Sequence, residues 1–265
     1  MADWVIFITC AVAGLVIGSF LNVVIYRGPV MWKLVESESR GDLIAPRSYC
    51  PHCREQIRPF HLVPLAGFFM LGGKCAACKM RIPLRYPVVE LLGALAAVFA
   101  LVLFGPGVTA ICAAVFFWFL IALGFIDTQT GYLPDALTLP LIAAGLIANG
   151  FGLFVAWPGA AIGAGAGYLV FVAIAELFVR ARGVEGLGRG DAKLLAALGA
   201  WLGWLALAPI VFSGALLALA SIAMLRFSGR RIANDTPVPF GPALAAAGAL
   251  AMIAHGLDWP SYYWR

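Results

Sequence analysis

The sequence predicts an all-α polytopic membrane protein of about eight transmembrane helices with one small cytoplasmic loop carrying four cysteines. Three observations predict it. Of the 265 residues, 63% are hydrophobic and only 12% charged, against about a quarter charged in a soluble domain. With a mean hydropathy of +0.95, the chain holds more apolar surface than one soluble core can bury, and lipid must cover the excess. The apolar residues gather in runs of membrane-crossing length, and the lysines and arginines gather between those runs.

The runs lie at roughly 4–26, 87–104, 108–126, 136–156, 158–179, 192–208, 209–226 and 240–256. Each is near the length at which a helix crosses a ~30 Å hydrocarbon layer. The first begins at Asp3 without a basic leading region or an Ala-x-Ala-like end, so it reads as a retained span rather than a cleaved signal. Only Pro209 and some glycines separate the sixth run from the seventh, and seven spans fit almost as well as eight. Glycine and proline inside the runs are compatible with membrane helices, because neighbouring helices satisfy the freed backbone groups. The organisation expected is a first transmembrane helix at 1–26, a cytoplasmic four-cysteine loop at 27–86 and a seven-helix membrane core at 87–265.

Sidedness follows from charge. Ten of the 18 Lys and Arg residues fall in 27–86, four in 180–193 and three in 226–239. With eight spans these loops share one side with the short loop 127–135, and the positive-inside rule makes that side the cytoplasm. The tail bearing Trp259, Tyr262, Tyr263 and Trp264 is then an outer interfacial anchor. The net charge of +5 is a topology signal, which argues against nucleic-acid binding.

Within 27–86, Cys50-Pro-His-Cys53 and Cys75-Ala-Ala-Cys78 are two C-x-x-C pairs separated by 21 residues. That spacing suits a zinc ribbon, in which two knuckles offer four thiolates to one tetrahedral ion. A loop this short cannot build a sufficient core, so the metal would supply its folding free energy. Two disulfides are the alternative, disfavoured on the reducing side of the membrane, and four free thiols are another. His52 reads as an exposed knuckle residue, and Cys10 and Cys112 as small hydrophobes within spans. His61 and His255 receive no role.

Only 13 acidic residues exist, which makes those at membrane edges informative. Asp127 closes the third run and Asp191, in Gly188-Arg-Gly190-Asp191-Ala-Lys193, opens the sixth. Both are expected at one face and one depth, and a carboxylate near hydrocarbon is a functional-site hypothesis by default. Two such groups facing one water suit aspartic peptidase chemistry, the pair sharing one proton. Gly188 and Gly190, lacking Cβ atoms, would let a substrate backbone approach. The competing reading makes Asp191 a helix cap, and capping is the favoured role for Asp135. Glu176 is expected to pair with Arg180 one turn on. Glu90 either snorkels or lines the site, and Lys193 either balances charge there or anchors the cytoplasmic edge.

Taken together, the motifs resemble the type IV prepilin leader peptidases, membrane aspartyl proteases with a G-x-G-D motif. The resemblance covers nearly the whole chain: Gly18–Arg27, Pro46–Cys53, Gly72–Cys75, Arg85–Glu90, Asp127 with Leu133-Pro-Asp135, and Gly188–Lys193 occur in the family's order. It implies that Asp127 and Asp191 are the catalytic pair, cutting the basic leader from prepilins, or from pseudopilins of type II secretion, after a glycine. It implies residence in the bacterial inner membrane. It also implies N-methylation of the new N-terminus from S-adenosylmethionine, with Gly73 and Lys74 matching positions tied to that activity. Between the knuckles, Leu62-Val-Pro-Leu-Ala-Gly67-Phe68 departs from the usual family pattern, and no G-x-G-x-x-G fingerprint occurs. The alternatives are a peptidase without methylation and, in another class, a small transporter or assembly scaffold. No internal repeat of the kind transporters carry is visible.

Overall fold

The computed structural model of the chain describes residues 3–182, 188–227 and 239–258. Each apolar run forms a helix: α1 (Asp3–Met31), then, after a short helix α2 (Ala66–Met70) inside the loop, α3 (Arg85–Phe104), α4 (Val108–Thr130), α5 (Asp135–Gly150), α6 (Trp157–Arg182), α7 (Arg189–Leu202), α8 (Leu207–Phe227) and α9 (Gly241–Gly256). The described residues contain no strand, only two isolated bridges, Tyr49–Gln56 and Lys74–Arg81. Five segments are long and apolar enough to cross a membrane: Trp4–Met31, Arg85–Phe104, Val108–Thr130, Trp157–Arg180 and Trp204–Phe227. α5 and α9 are shorter apolar helices, and α7 has only 14 residues.

Two boundaries differ from the sequence reading. α1 continues past residue 26 to Met31, with Pro29 in its last turn. The break after α7 falls at Gly203, in the left-handed region at φ 78°, followed by a 3₁₀ turn, Trp204–Ala206. Pro209 lies instead in the first turn of α8, where a missing N–H leaves no helical bond unmade. The aromatic tail from Trp259 and parts of the basic segments 180–193 and 226–239 lie outside the described residues.

The chain divides into two units, Met1–Ala122 and Leu123–Arg265, with the division inside α4. In the first, α1 lies directly on α3. A Cβ at Gly14 would come 2.5 Å from the Gly93 carbonyl oxygen, and one at Gly18 would come 2.7 Å from Glu90 Cα. Gly14 and Gly18 are one helical turn apart, so this pair of small residues lets the two backbones touch. Asn22, one turn further along, donates to the Tyr86 carbonyl at 3.0 Å, and Trp118 Nε1 donates to Gly93 O at 2.9 Å. The loop after α1 is tied back to it by buried Arg27, whose guanidinium donates to the carbonyls of Asp42 (2.7 Å) and Pro46 (2.8 Å). Arg40 reaches the Tyr26 carbonyl at 2.7 Å while stacking over the Tyr26 ring.

In the second unit α7 is the core. Every residue from Asp191 to Leu202 except Lys193 is buried, and α5, α6 and α9 pack against it. Surrounded by protein, α7 needs neither the length nor the uniform apolarity of a lipid-facing span. The backbones of Gly163 on α6 and Gly199 on α7 meet where any Cβ would collide. Asn149 (1% exposed) closes the other side with both ends of its amide engaged. Its Nδ2 donates to the carbonyls of Ala200 (2.8 Å) and Trp201 (3.0 Å), and its Oδ1 accepts from Phe154 (3.1 Å) and Val155 (2.9 Å). A buried polar side chain so fully satisfied fixes the register of α5 against α7.

Candidate active site

The second unit brings the two singled-out aspartates into one electrostatic pair. Asp127 lies in the last turn of α4 and Asp191 in the first turn of α7; both are buried, at 4% and 9% exposure. Asp127 acts on Asp191 as a like charge. Each carboxylate is also held by a backbone N–H at a helix start: Asp127 by Gly241, the first residue of α9, and Asp191 by Gly188, just before α7. Helix N-termini favour anions, so two of them support negative charge where burial and mutual repulsion oppose it.

Asp191 serves the start of α7 without being its N-cap. The N-cap position belongs to Gly188, with extended backbone at φ −73° and ψ 138°. Asp191 sits three residues in and turns back on the Gly188 N–H, the acidic half of a capping box. The interaction that starts the helix also aims the carboxylate.

Leu133, buried in the loop that follows α4, lies against the glycines beside both acids. A Cβ at Gly190 would approach Leu133 Cβ to 2.9 Å, and one at Gly241 would meet Leu133 Cδ1 at 3.2 Å and Asp127 Oδ2 at 2.5 Å. Glycine at both positions makes room for the carboxylates and for this side chain. Asp127 Oδ2 itself is buried with no hydrogen-bond partner. A buried acceptor left open in this way awaits a proton, a water or a substrate group.

Lys193 does not reach the pair: its ammonium bonds Asp135 Oδ1 at 2.5 Å. Asp135 opens α5 without a side-chain cap bond, so its partner is this cation. Glu176 and Arg180 form the i,i+4 pair at 3.5 Å, both exposed.

In the first unit the four loop cysteines converge. Their sulfurs lie within 4.8 Å of one another, with Cys50–Cys78 and Cys53–Cys75 each at 3.9 Å and no disulfide between them. The two knuckles repeat one turn: Cys50 N–H to Glu55 O (2.9 Å) is matched by Cys75 N–H to Met80 O (2.8 Å). The residue after each second cysteine, Arg54 or Lys79, adopts a left-handed φ near 60°. Four thiolates at 2.3 Å from a tetrahedral centre stand about 3.8 Å apart, so the cluster could hold a metal ion. His52 is exposed and outside it.

Beside the cluster is a cavity of about 630 Å³, within the usual range for small-molecule sites. Tyr26, Tyr49, Phe68 and Tyr86 line it, together with Asn22 and Glu90. Glu90 accepts the Leu65 N–H at 2.8 Å and a bond from Ser19. Gly73 and Lys74 are not on the wall. Gly73, at φ 67°, backs the Phe68 ring, which would lie 3.1 Å from a Cβ there.

The sequence by itself does not mark Gly241, Leu133 or Asn22 as site residues. Leu133 and Asn22 stand only as members of longer motifs, and Gly241, just before Pro242 at a helix start, carries a visible backbone signal. Asn22 sits in an apolar span with no acidic or basic neighbour to mark it.

Comparison with known proteins covers most of the chain. The family model for the bacterial peptidase A24 N-terminal domain matches residues 12–104, and that for the type IV leader peptidase family matches 114–223. A prepilin leader peptidase/N-methyltransferase of Burkholderia pseudomallei (strain 1026b) is 45% identical over 257 residues, spanning 91% of this chain and 83% of the relative. Proteins of the same name from Pseudomonas aeruginosa (43% over 263 residues; 93% and 90%) and Neisseria gonorrhoeae (41% over 271 residues; 96% and 92%) are similar from end to end. No solved structure matches. Similarity of this extent, with the paired acids and the cysteine cluster falling inside the matched regions, means that the chain belongs to the type IV leader peptidase family.

Proposed function

We propose that this multi-pass inner-membrane protein is a prepilin leader peptidase that also N-methylates its product, with Asp127 and Asp191 carrying the cut. The observation that carries the reading is the buried carboxylate pair, held from two helix starts, with one oxygen of Asp127 left open. The pair shares one proton. The ionised member takes a proton from the attacking water while the protonated member polarises the scissile carbonyl, and the roles reverse as the amine leaves. Gly188, Gly190 and Gly241 keep the approach open for an extended substrate backbone. Lys193 supports the site at one remove, by holding Asp135 at the start of α5.

The substrate is a prepilin or a type II secretion pseudopilin, cut after a glycine. The concentration of basic residues in 27–86 supports placing the four-cysteine loop and the cut on the cytoplasmic side, where a basic leader would meet the bilayer edge. Functionally the chain then reads as the helix 1–26, the cytoplasmic loop 27–86 and the membrane core 87–265. Cys50, Cys53, Cys75 and Cys78 hold a structural Zn²⁺, which suits four thiolates better than any hard cation does. The methyl donor is S-adenosylmethionine, and the cavity beside the cluster has the volume and aromatic walls to receive it. Gly73 acts there through Phe68, and Lys74 from the exposed rim.

Co-expression with a prepilin-like substrate tests the dyad. Asp127→Asn and Asp191→Asn are each expected to lower leader cleavage by more than roughly 10³-fold while the protein still inserts, scored by the size of the substrate. Full cleavage in either variant would sink the dyad. Mass spectrometry of the product's N-terminus decides methylation separately.

A further inference from the structure

The cavity in the first unit has acceptors to spare. Asn22, only 3% exposed, lies on its wall, and its Oδ1 has no hydrogen-bond partner. Its Nδ2 is turned the other way, onto the carbonyls of Tyr86 and Gly18. Glu90 lines the same cavity with a half-buried carboxylate, and among the described residues no cation pairs with it. Ser19, on the same face of α1 as Asn22, hydrogen-bonds that carboxylate. Gly18, next to Ser19, lets the Glu90 backbone lie directly against α1. A carboxylate and an open amide oxygen therefore converge in a partly desolvated pocket; the carboxylate accepts only neutral donors, the Leu65 N–H and the Ser19 hydroxyl, and the amide oxygen has none.

A primary ammonium supplies what is missing, since it is compact, cationic and offers three N–H donors. A divalent hard cation would call for several carboxylates, and the other acid on the described wall, Glu55, is exposed in the loop. We propose that Glu90 and Asn22 Oδ1 bind the free α-ammonium of the newly cut chain and present it for methylation. This rests on the methyltransferase reading above and names the substrate-binding residues within it. Glu90 accepts one proton from the ammonium. The freed lone pair forms the N–C bond to the methyl group of the sulfonium donor, and the C–S bond breaks with its electrons left on sulfur as a neutral thioether. The product is a secondary ammonium. The aromatic walls suit a sulfonium cation, and exposed Arg58 and Arg81 on the outer wall suit the donor's carboxylate.

The test uses the full chain in detergent and the isosteric variant Glu90→Gln, which keeps an acceptor for the Leu65 N–H. Two probes are titrated, a peptide of the product's N-terminal sequence with a free amine and its N-acetylated form. Wild-type protein is expected to prefer the free amine by about tenfold or more, and Glu90→Gln to erase that preference. The variant is also expected to lose methylation by mass spectrometry, while cutting leader as wild type does and binding S-adenosylmethionine unchanged in equilibrium dialysis. Equal binding of both peptides to wild type overturns the assignment, as does methylation persisting in Glu90→Gln. Loss of S-adenosylmethionine binding with peptide preference intact also overturns it, by making the donor's own amine the occupant. Absence of methylation in wild type itself brings down the methyltransferase reading along with the assignment. Persistence in Glu90→Gln brings down the assignment alone.

Discussion

At Gly241 a single hydrogen atom takes the place of a side chain that would lie 2.5 Å from Asp127 Oδ2. The glycine does two jobs there: its N–H holds the carboxylate, and its bareness lets the carboxylate sit that close. Gly241→Ala keeps the N–H but must push the Asp127 carboxylate aside. A displacement of order 1 Å at a reacting group costs about 10²-fold in rate, so a loss of that size in leader cleavage is expected, without loss of insertion. Measuring kcat/KM on a leader-bearing peptide checks it, and wild-type rates in the variant would show that Asp127 is not positioned by this contact. Asp127 itself was legible in the sequence, because an acid at a membrane edge is conspicuous. Gly241 was not, because its importance lies in a neighbour more than a hundred positions away.

At the scale of elements, the two knuckles and α7 illustrate opposite sources of order. The knuckles repeat the same turn with the same left-handed residue after the second cysteine, and the loop around them has no helix longer than α2's five residues. A metal ion held by the four cysteines would then be the main source of its folding free energy. In a Cys50→Ser/Cys75→Ser double variant, zinc content is expected to fall to background. Limited proteolysis is expected to cut within 32–84, while α3 onward stays intact. Metal analysis reads the first outcome and fragment masses the second, and undiminished zinc would exclude the cluster as its site. α7 is ordered by packing instead. Its glycine contact with α6 and the Asn149 amide bonds hold it among its neighbours, which is how a helix of 14 residues keeps Asp191 at a defined place.

At the scale of the whole molecule, the apolar runs and the basic loops set a topology that can be read from outside. With eight spans and the loop 27–86 inside, both termini face away from the cytoplasm. Alkaline phosphatase fused after Arg265 is expected to be active, and the same reporter inserted in 27–86 inactive. The reverse pattern would overturn the sidedness. Hydropathy made the run of helices legible, because apolar length is a one-dimensional property. It misplaced the break after α7, because Pro209 is harmless in a first turn while Gly203, at φ 78°, ends the helix.

What the sequence determined by itself was the class of molecule, the two aspartates at membrane edges, the four-cysteine cluster that could hold a metal ion and the order of family motifs, all of which depend on residue type and spacing along the chain. Only the tertiary structure decided how those groups are served. It gave Lys193 to Asp135, turned the Asp191 carboxylate back on the start of its own helix, set Gly241 and Leu133 beside the two acids, and left Asn22 Oδ1 and Glu90 facing one cavity. Each of these is a through-space contact between distant segments. Helix packing creates such contacts, and no local spacing encodes them.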